Sequence, residues 1–121
     1  MATNEVFDKA DTLYEAVPSG TVSGDPVCVG QIPGVALIDR DADGKATITR
    51  RGAHLLSVAA IDNSGTAGAD ANVAVAVGDI LYFAIGDTPK LSKRNDGIRY
   101  GYADQAITSG ATATIRVILG Y

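Results

Sequence analysis

Cysteine is nearly missing from this sequence. Cys28 is the only one, so no intrachain disulfide can form. It lies between Val27 and Val29, the setting of a buried, inert thiol. Histidine is equally scarce: His54 alone cannot build a zinc site, which needs several nitrogen or sulfur ligands. Cys28 and His54 could pair as nucleophile and base, and the serines have only His54 as a base, but nothing else in the chain supports either pairing. Tryptophan is absent. No apolar run approaches the ~18 residues of a helical membrane span. Residues 1–9 are polar and lack the apolar core of a secretory leader, so synthesis and retention in a cytoplasm, or in something assembled there, is the expectation. Basic side chains are also in deficit. Lys plus Arg total 10 against 14 for Asp plus Glu, a net charge of −4, so the basic footprint of a nucleic-acid binder is missing. Arg50-Arg51 and residues 90–94 are the only basic clusters, and they read as solvated loops.

What remains is rich in β signals. The 121 residues are the size of one domain, able to bury roughly two-thirds of the unfolded surface without a disulfide or metal. Residues 112–119 show a period of two: Ala113, Ile115, Val117 and Leu119 share one face, Thr112, Thr114 and Arg116 the other, with Ile118 as the exception. Residues 13–17, 27–29, 35–38, 45–51, 73–77 and 80–85 carry shorter strand patterns. Residues 53–60 could be read as helix on their Leu and Ala content, but Gly52 precedes them and no cap is evident, so strand is the reading. One helical turn is expected at residues 104–107. The 14 glycines punctuate these runs at Asp43-Gly44, Asn63-Ser64-Gly65, Gly86-Asp87 and Ser109-Gly110. The pattern predicts an all-β chain, a small β-barrel or β-sandwich with at most one short helix. Residues 1–11 form an N-terminal arm and residues 12–121 a single β domain.

An internal repeat is visible. Gly24-Asp25, an apolar strand, Gly34-Val35-Ala36, Gly44 and a Thr47-Ile48 strand recur as Gly78-Asp79, an apolar strand, Gly101-Tyr102-Ala103, Gly110 and a Thr114-Ile115 strand. The second copy carries an insert around residues 88–97. Two pseudo-repeated β halves closing on one core is the expectation; chance likeness in a chain rich in Gly and Ala is the rival. Residues 63–70 form an exposed loop between the halves.

The motifs that carry chemistry elsewhere fail here. Asp39-Arg40-Asp41-Ala42-Asp43-Gly44 matches the opening of a calcium loop, but the twelfth position, where a bidentate Glu belongs, is Arg50. A hairpin turn on Asp43-Gly44 is the better reading. Gly44-Lys45 is followed by Ala46, and Asp39 occupies the first glycine position of a phosphate loop, so no nucleotide site is present. No metal, no cofactor and no catalytic residue is assigned, and no enzyme is expected. Tyr82, Phe83, Tyr100 and Tyr102 cluster in sequence. If Tyr82, Tyr100 and Tyr102 lined one groove, they would favour a carbohydrate- or receptor-binding β-sandwich of a virion or cell surface, which is the alternative reading.

Taken in order, the segments from Val22 to Gly30, Gly34-Val35-Ala36, Val77-Gly78-Asp79-Ile80-Leu81-Tyr82, Gly101-Tyr102-Ala103 and Ala113-Thr114-Ile115-Arg116-Val117-Ile118-Leu119 resemble the bacteriophage capsid cement (decoration) family. These are small head-associated β-proteins, long described only as a domain of unknown function. The resemblance spans residues 12–119. It implies a β-barrel or β-sandwich on the exterior of an assembled head, made in the host cytoplasm. Such proteins commonly form trimers at local three-fold positions and clamp neighbouring major capsid proteins. The implied partners are therefore the major capsid protein and other copies of the chain, with no nucleic acid and no membrane. Candidate contacts are Thr3, Asn4, Glu5, Val6 and Phe7 in the arm, and Lys90, Lys93 and Arg94 in a segment more charged than the family pattern.

Overall fold

Two β units meet side by side in the computed structural model, which describes residues 12–119. The arm candidates Thr3 to Phe7 lie outside the described residues. Strands β1 (Thr12–Ala16), β2 (Pro26–Val29), β3 (Ile32–Ala36) and β4 (Lys45–Thr49) form a curled antiparallel sheet in the order β1-β4-β3-β2. Next come β5 (Ala53–Ala59), β6 (Ile61–Asp62), β7 (Ala71–Asn72), β8 (Ile80–Phe83), β9 (Leu91–Ser92), β10 (Ile98–Ala103) and β11 (Thr112–Leu119). Of these, β10-β11-β5-β9-β8 close into a barrel, while β6 and β7 pair as a separate ribbon. All neighbours are antiparallel except β5 and β9.

The two halves are copies of one motif. In the first, the order is β1-β4-β3-β2; in the second, β5-β11-β10-β8. The agreement extends to individual atoms. Gly24 donates to the Ala36 carbonyl and Gly78 to the Ala103 carbonyl, both at 2.7 Å. Ala36 donates to Asp25 at 3.0 Å and Ala103 to Asp79 at 2.9 Å. Each copy enters this pairing through a turn whose third residue, Gly24 or Gly78, has φ near +90°, open to glycine at no steric cost. The Asp that follows closes each turn with its side chain, Asp25 accepting from Val22 N–H at 3.0 Å and Asp79 from Ala76 N–H at 2.8 Å.

The copies differ where the second has extra chain. The β2–β3 hairpin turns on Gly30-Gln31, whereas β8 and β10 are joined by residues 84–97, which contain β9. That insertion converts a curled sheet into a barrel. Leu91 pairs with Val58 of β5 and Phe83 of β8, bridging the two edges of the motif. Closing the ring removes the exposed edges that invite unwanted pairing.

Each half also has its own interior, rather than the single core expected from sequence. Val58, Leu81, Phe83, Ile115 and Val117 fill the barrel together with Leu91 and Tyr100. Their counterparts Val17, Val27, Val29, Ala46 and Ile48 make a smaller cluster inside the curled sheet. Val35, with Cys28 packed nearby, joins the barrel's cluster instead and so couples the halves. The fully buried Tyr100 stacks near Phe83 and donates its hydroxyl to the Gly34 carbonyl at 2.5 Å, a 66-residue span that pins β3 to β10.

β11 has the predicted alternation, with Ile118 outward and 42% exposed, and residues 53–59 are strand. Two expectations are corrected. Residues 73–77 do not form a strand; Val75 makes one bridge, to Ile107, because this stretch is the approach to the Gly78 turn and corresponds to a loop before Gly24. Residues 104–107 form no helical turn, since Asp104 and Ile107 are committed to Arg116 and Val75 by main-chain bonds. The one helical turn among the described residues, Thr66–Gly68, lies in the loop between β6 and β7.

Candidate interaction surfaces

The Asp39–Asp43 segment is a hairpin held by its own carboxylates. Asp41 Oδ1 accepts the Asp43 and Lys45 N–H groups at 3.0 Å each, and its Oδ2 accepts the Tyr14 hydroxyl. Asp39 accepts Ser23 N–H at 2.8 Å. Gly44 follows with φ of +77°, as the turn reading requires. These bonds hold the Asp41 carboxyl below its ordinary value, chiefly through the Tyr14 hydroxyl, and push the Tyr14 phenol up to about 12. The spacing that mimics a calcium loop thus builds a turn that ties β4 to β1. Among the described residues, no group of three or more His, Cys, Asp or Glu side chains is placed to hold a metal.

The basic candidates sit on the insert that carries β9. Lys93 lies 2.9 Å from Asp79 and donates to the Ala74 carbonyl at 3.2 Å. Arg94 is a hub: Nη1 is 3.1 Å from Asp87, Nη2 is 3.4 Å from Asp96, and Nε is 3.2 Å from Asp70, misaligned there for a hydrogen bond. Lys90 accepts the Ala84 N–H at its carbonyl, 2.9 Å, and is partly exposed. The charge that sets this segment apart in sequence therefore fastens β9 to the loops around it. Partly exposed ion pairs contribute little each, about 0–1 kcal/mol, but a multidentate Arg fixes geometry.

Cys28 and His54 take unrelated roles. Cys28 packs against the barrel core, and burial pushes its thiol up to about 12. His54 Nε2 is 3.0 Å from the Arg51 carbonyl. We expect native Cys28 to react with a small disulfide reagent at pH 8 about 1,000-fold more slowly than in denaturant. The thiolate fraction falls from about a quarter to ~10⁻⁴ when the pKa rises from ~8.5 to ~12. The residue is half-buried rather than fully buried, and equal rates in the two states would overturn the assignment of a shielded thiol.

The tyrosines do not share a groove. Tyr100 is fully buried, whereas Tyr102 is on the outer side of β10, bonded through its hydroxyl to Arg99 at 2.8 Å. The surface feature that sequence reading missed is apolar. Leu55 is 68% exposed on β5, opposite Arg116, and Ile118 lies diagonally beside it on β11. Tyr102 is opposite Ile118, and Ile80 opposite Tyr102, so an apolar stripe crosses four strands of the barrel's outer wall. The exception noted in the β11 alternation, Ile118, was its one visible signal. An open groove of about 580 Å³ runs between Gln31 on the β2–β3 turn and the ends of β8 and β10, where Ile85, Asp96 and Arg99 line it.

Asp25, Asp41 and Asp79 close turns, Lys93, Arg94 and Arg116 sit in ion pairs, and an apolar stripe crosses the barrel's outer wall. The phage cement protein family model matches residues 8–119, nearly the whole chain, and the chain belongs to that family. Membership makes it a structural, capsid-associated protein of a phage. No curated protein and no solved structure matches it.

Proposed function

We propose that this chain binds the outer surface of a phage head as a homo-oligomer, a trimer being the favoured form, and stabilises contacts between major capsid protein subunits. The observation that carries this reading is the family match from residue 8 to 119, which leaves no separate domain for another activity among the matched residues. The apolar stripe of Leu55, Ile118, Tyr102 and Ile80 supports it as a surface for burial against protein. Thr3, Asn4, Glu5, Val6 and Phe7 and the insert bearing Lys90, Lys93 and Arg94 are the further contacts of the proposal, Lys93 and Arg94 acting by shaping the insert. Each contact can be weak, because many copies on one shell, each bridging subunits, add up through multivalency. The acidic balance of the chain also disfavours adhesion to packaged DNA.

The test is to mix the purified protein with expanded, undecorated shells of its phage and sediment them. Saturable binding in fixed stoichiometry is expected, with a rise of several degrees in the temperature at which shells come apart. Shells that neither retain the protein nor gain stability would overturn the proposal. Deleting residues 2–10 is expected to weaken binding at least fivefold; unchanged binding would remove the arm from it.

A further inference from the structure

The duplication shows what the first half lacks. In the barrel, β9 lies between the ends of β5 and β8, and Leu91 fills the interior beside Val58 and Phe83. Matching the copies by register makes Val17, Val29 and Cys28 the counterparts of Val58, Phe83 and Tyr82. Among the described residues nothing lies between β1 and β2 in the sheet order, so this position has no β9. We infer that an extended segment of the shell protein supplies it, adding to the β2 edge as β9 adds to β8.

The edge is chemically prepared for a strand. Ala36 donates to the Asp25 carbonyl, so by antiparallel alternation Val27 and Val29 face β3 and the Cys28 N–H and C=O point outward. Tyr82, its counterpart, faces Ser92 of β9. The β1 side offers less, since Pro18 has no N–H and its carbonyl already accepts Thr21 at 2.7 Å and 3.2 Å. The ladder therefore runs along β2, antiparallel to it, with one apolar side chain turned inward onto Val17 and Val29. Strand addition of this kind takes affinity from the main chain and specificity from the alternate side chains.

Charge selects the occupant. Where the barrel has the buried Leu56 opposite Ile115, the curled sheet has the exposed Glu15 opposite Ala46, on the inward-turned side of β1. Residues 12–49 hold Glu15, Asp25, Asp39, Asp41 and Asp43 against only Arg40 and Lys45. A segment with a Lys or Arg beside its apolar residue is complementary. The arm of a second copy is not: residues 1–11 carry Glu5, Asp8 and Asp11 against Lys9 alone. The occupant is accordingly an extended, basic-flanked segment of the shell protein, and the inference rests on the cement reading.

Amide hydrogen exchange of the Cys28 N–H, free and on undecorated shells, tests it together with shell affinity for Glu15→Gln and Glu15→Lys. We expect Cys28 exchange to slow at least tenfold on the shell. Affinity is expected to fall about threefold for Glu15→Gln and about tenfold for Glu15→Lys, with melting temperatures unchanged because Glu15 is exposed. Tight shell binding with unaltered Cys28 exchange would sink the inference and leave the cement reading standing. Affinity indifferent to Glu15→Lys would sink it too. Protection that arises in the concentrated free protein would assign the edge to a second copy and overturn the choice of occupant, while failure to bind shells at all would remove both readings.

Discussion

Replacing Leu91 by alanine is expected to destabilise the protein by about 2–5 kcal/mol and lower its melting temperature by roughly 10–15 °C. The residue occupies a strand of only two residues, yet it is fully buried and is paired on both sides. Truncation removes its contacts with Val58 and Phe83 and leaves a void in the wall of a closed barrel, where neighbours are held in register and collapse poorly. A domain of this size has a total stability of only about 5–15 kcal/mol, so the loss is a large share of it. The companion substitution Leu37→Ala, at a residue 45% exposed, is expected to stay within about 0.5 kcal/mol. Urea midpoints for the two variants decide the matter: similar values would show that β9 does not hold the barrel shut. Hydrogen exchange adds a spatial signature, with openings expected first at β5 and β8, the edges β9 bridges.

That small strand also marks the limit of what could be read from residues alone. The duplication was legible because both copies keep the chemistry of the same turn, Gly24-Asp25 and Gly78-Asp79, and the same Gly-x-Ala strand. Its alignment at the last strand was off by two residues: Ala36 opposite Ile48 matches Ala103 opposite Val117, not Ile115. The second copy runs two residues further from Ala103 to Val117 than the first does from Ala36 to Ile48, and two residues is the period of a strand, so the wrong register has the same inside–outside pattern. β9 was invisible because Leu91-Ser92 has no length over which to alternate and sits among charges. The reverse error occurred at residues 73–77, where Val and Ala alternate but, among the described residues, only Ile107 lies alongside to pair with Val75. Alternation reports which side chains are buried; pairing depends on what lies alongside.

The surfaces were less legible than the fold. Lys93 and Arg94 stand out in sequence as free charge, yet their partners Asp79, Asp70 and Asp87 come from different loops that only the fold assembles. The apolar stripe is spread over β5, β8, β10 and β11, one residue from each, so no local window contains it. The Asp39–Asp43 motif resolved correctly as a turn because its test was local: the residue needed at the twelfth position is the wrong one.

Gly101→Ala and Gly34→Ala carry the second large expectation, because the same position in two copies reports on closed and open architecture. A Cβ at Gly34 would lie 2.9 Å from the Thr49 carbonyl oxygen, and one at Gly101 would press still closer on the carbonyl of Ile118. Thr49 and Ile118 are equivalent, each opposite the residue that follows the glycine. In both cases main chain must move, since no flexible side chain can yield in its place. Among the described residues the edges at β1 and β2 carry no further strand, so the curled sheet can splay, which limits the cost of Gly34→Ala to about 1–3 kcal/mol. The barrel cannot open between β10 and β11 without breaking the ring, so Gly101→Ala is expected to cost more than about 4 kcal/mol and to leave little folded protein at 37 °C. Gly86, with nothing near its would-be Cβ, serves as the control, and alanine there is expected to be neutral or slightly stabilising. If Gly34→Ala proved as damaging as Gly101→Ala, the curled sheet would be as rigid as the barrel, and the gap beside β2 could not be an opening that a partner's strand fills.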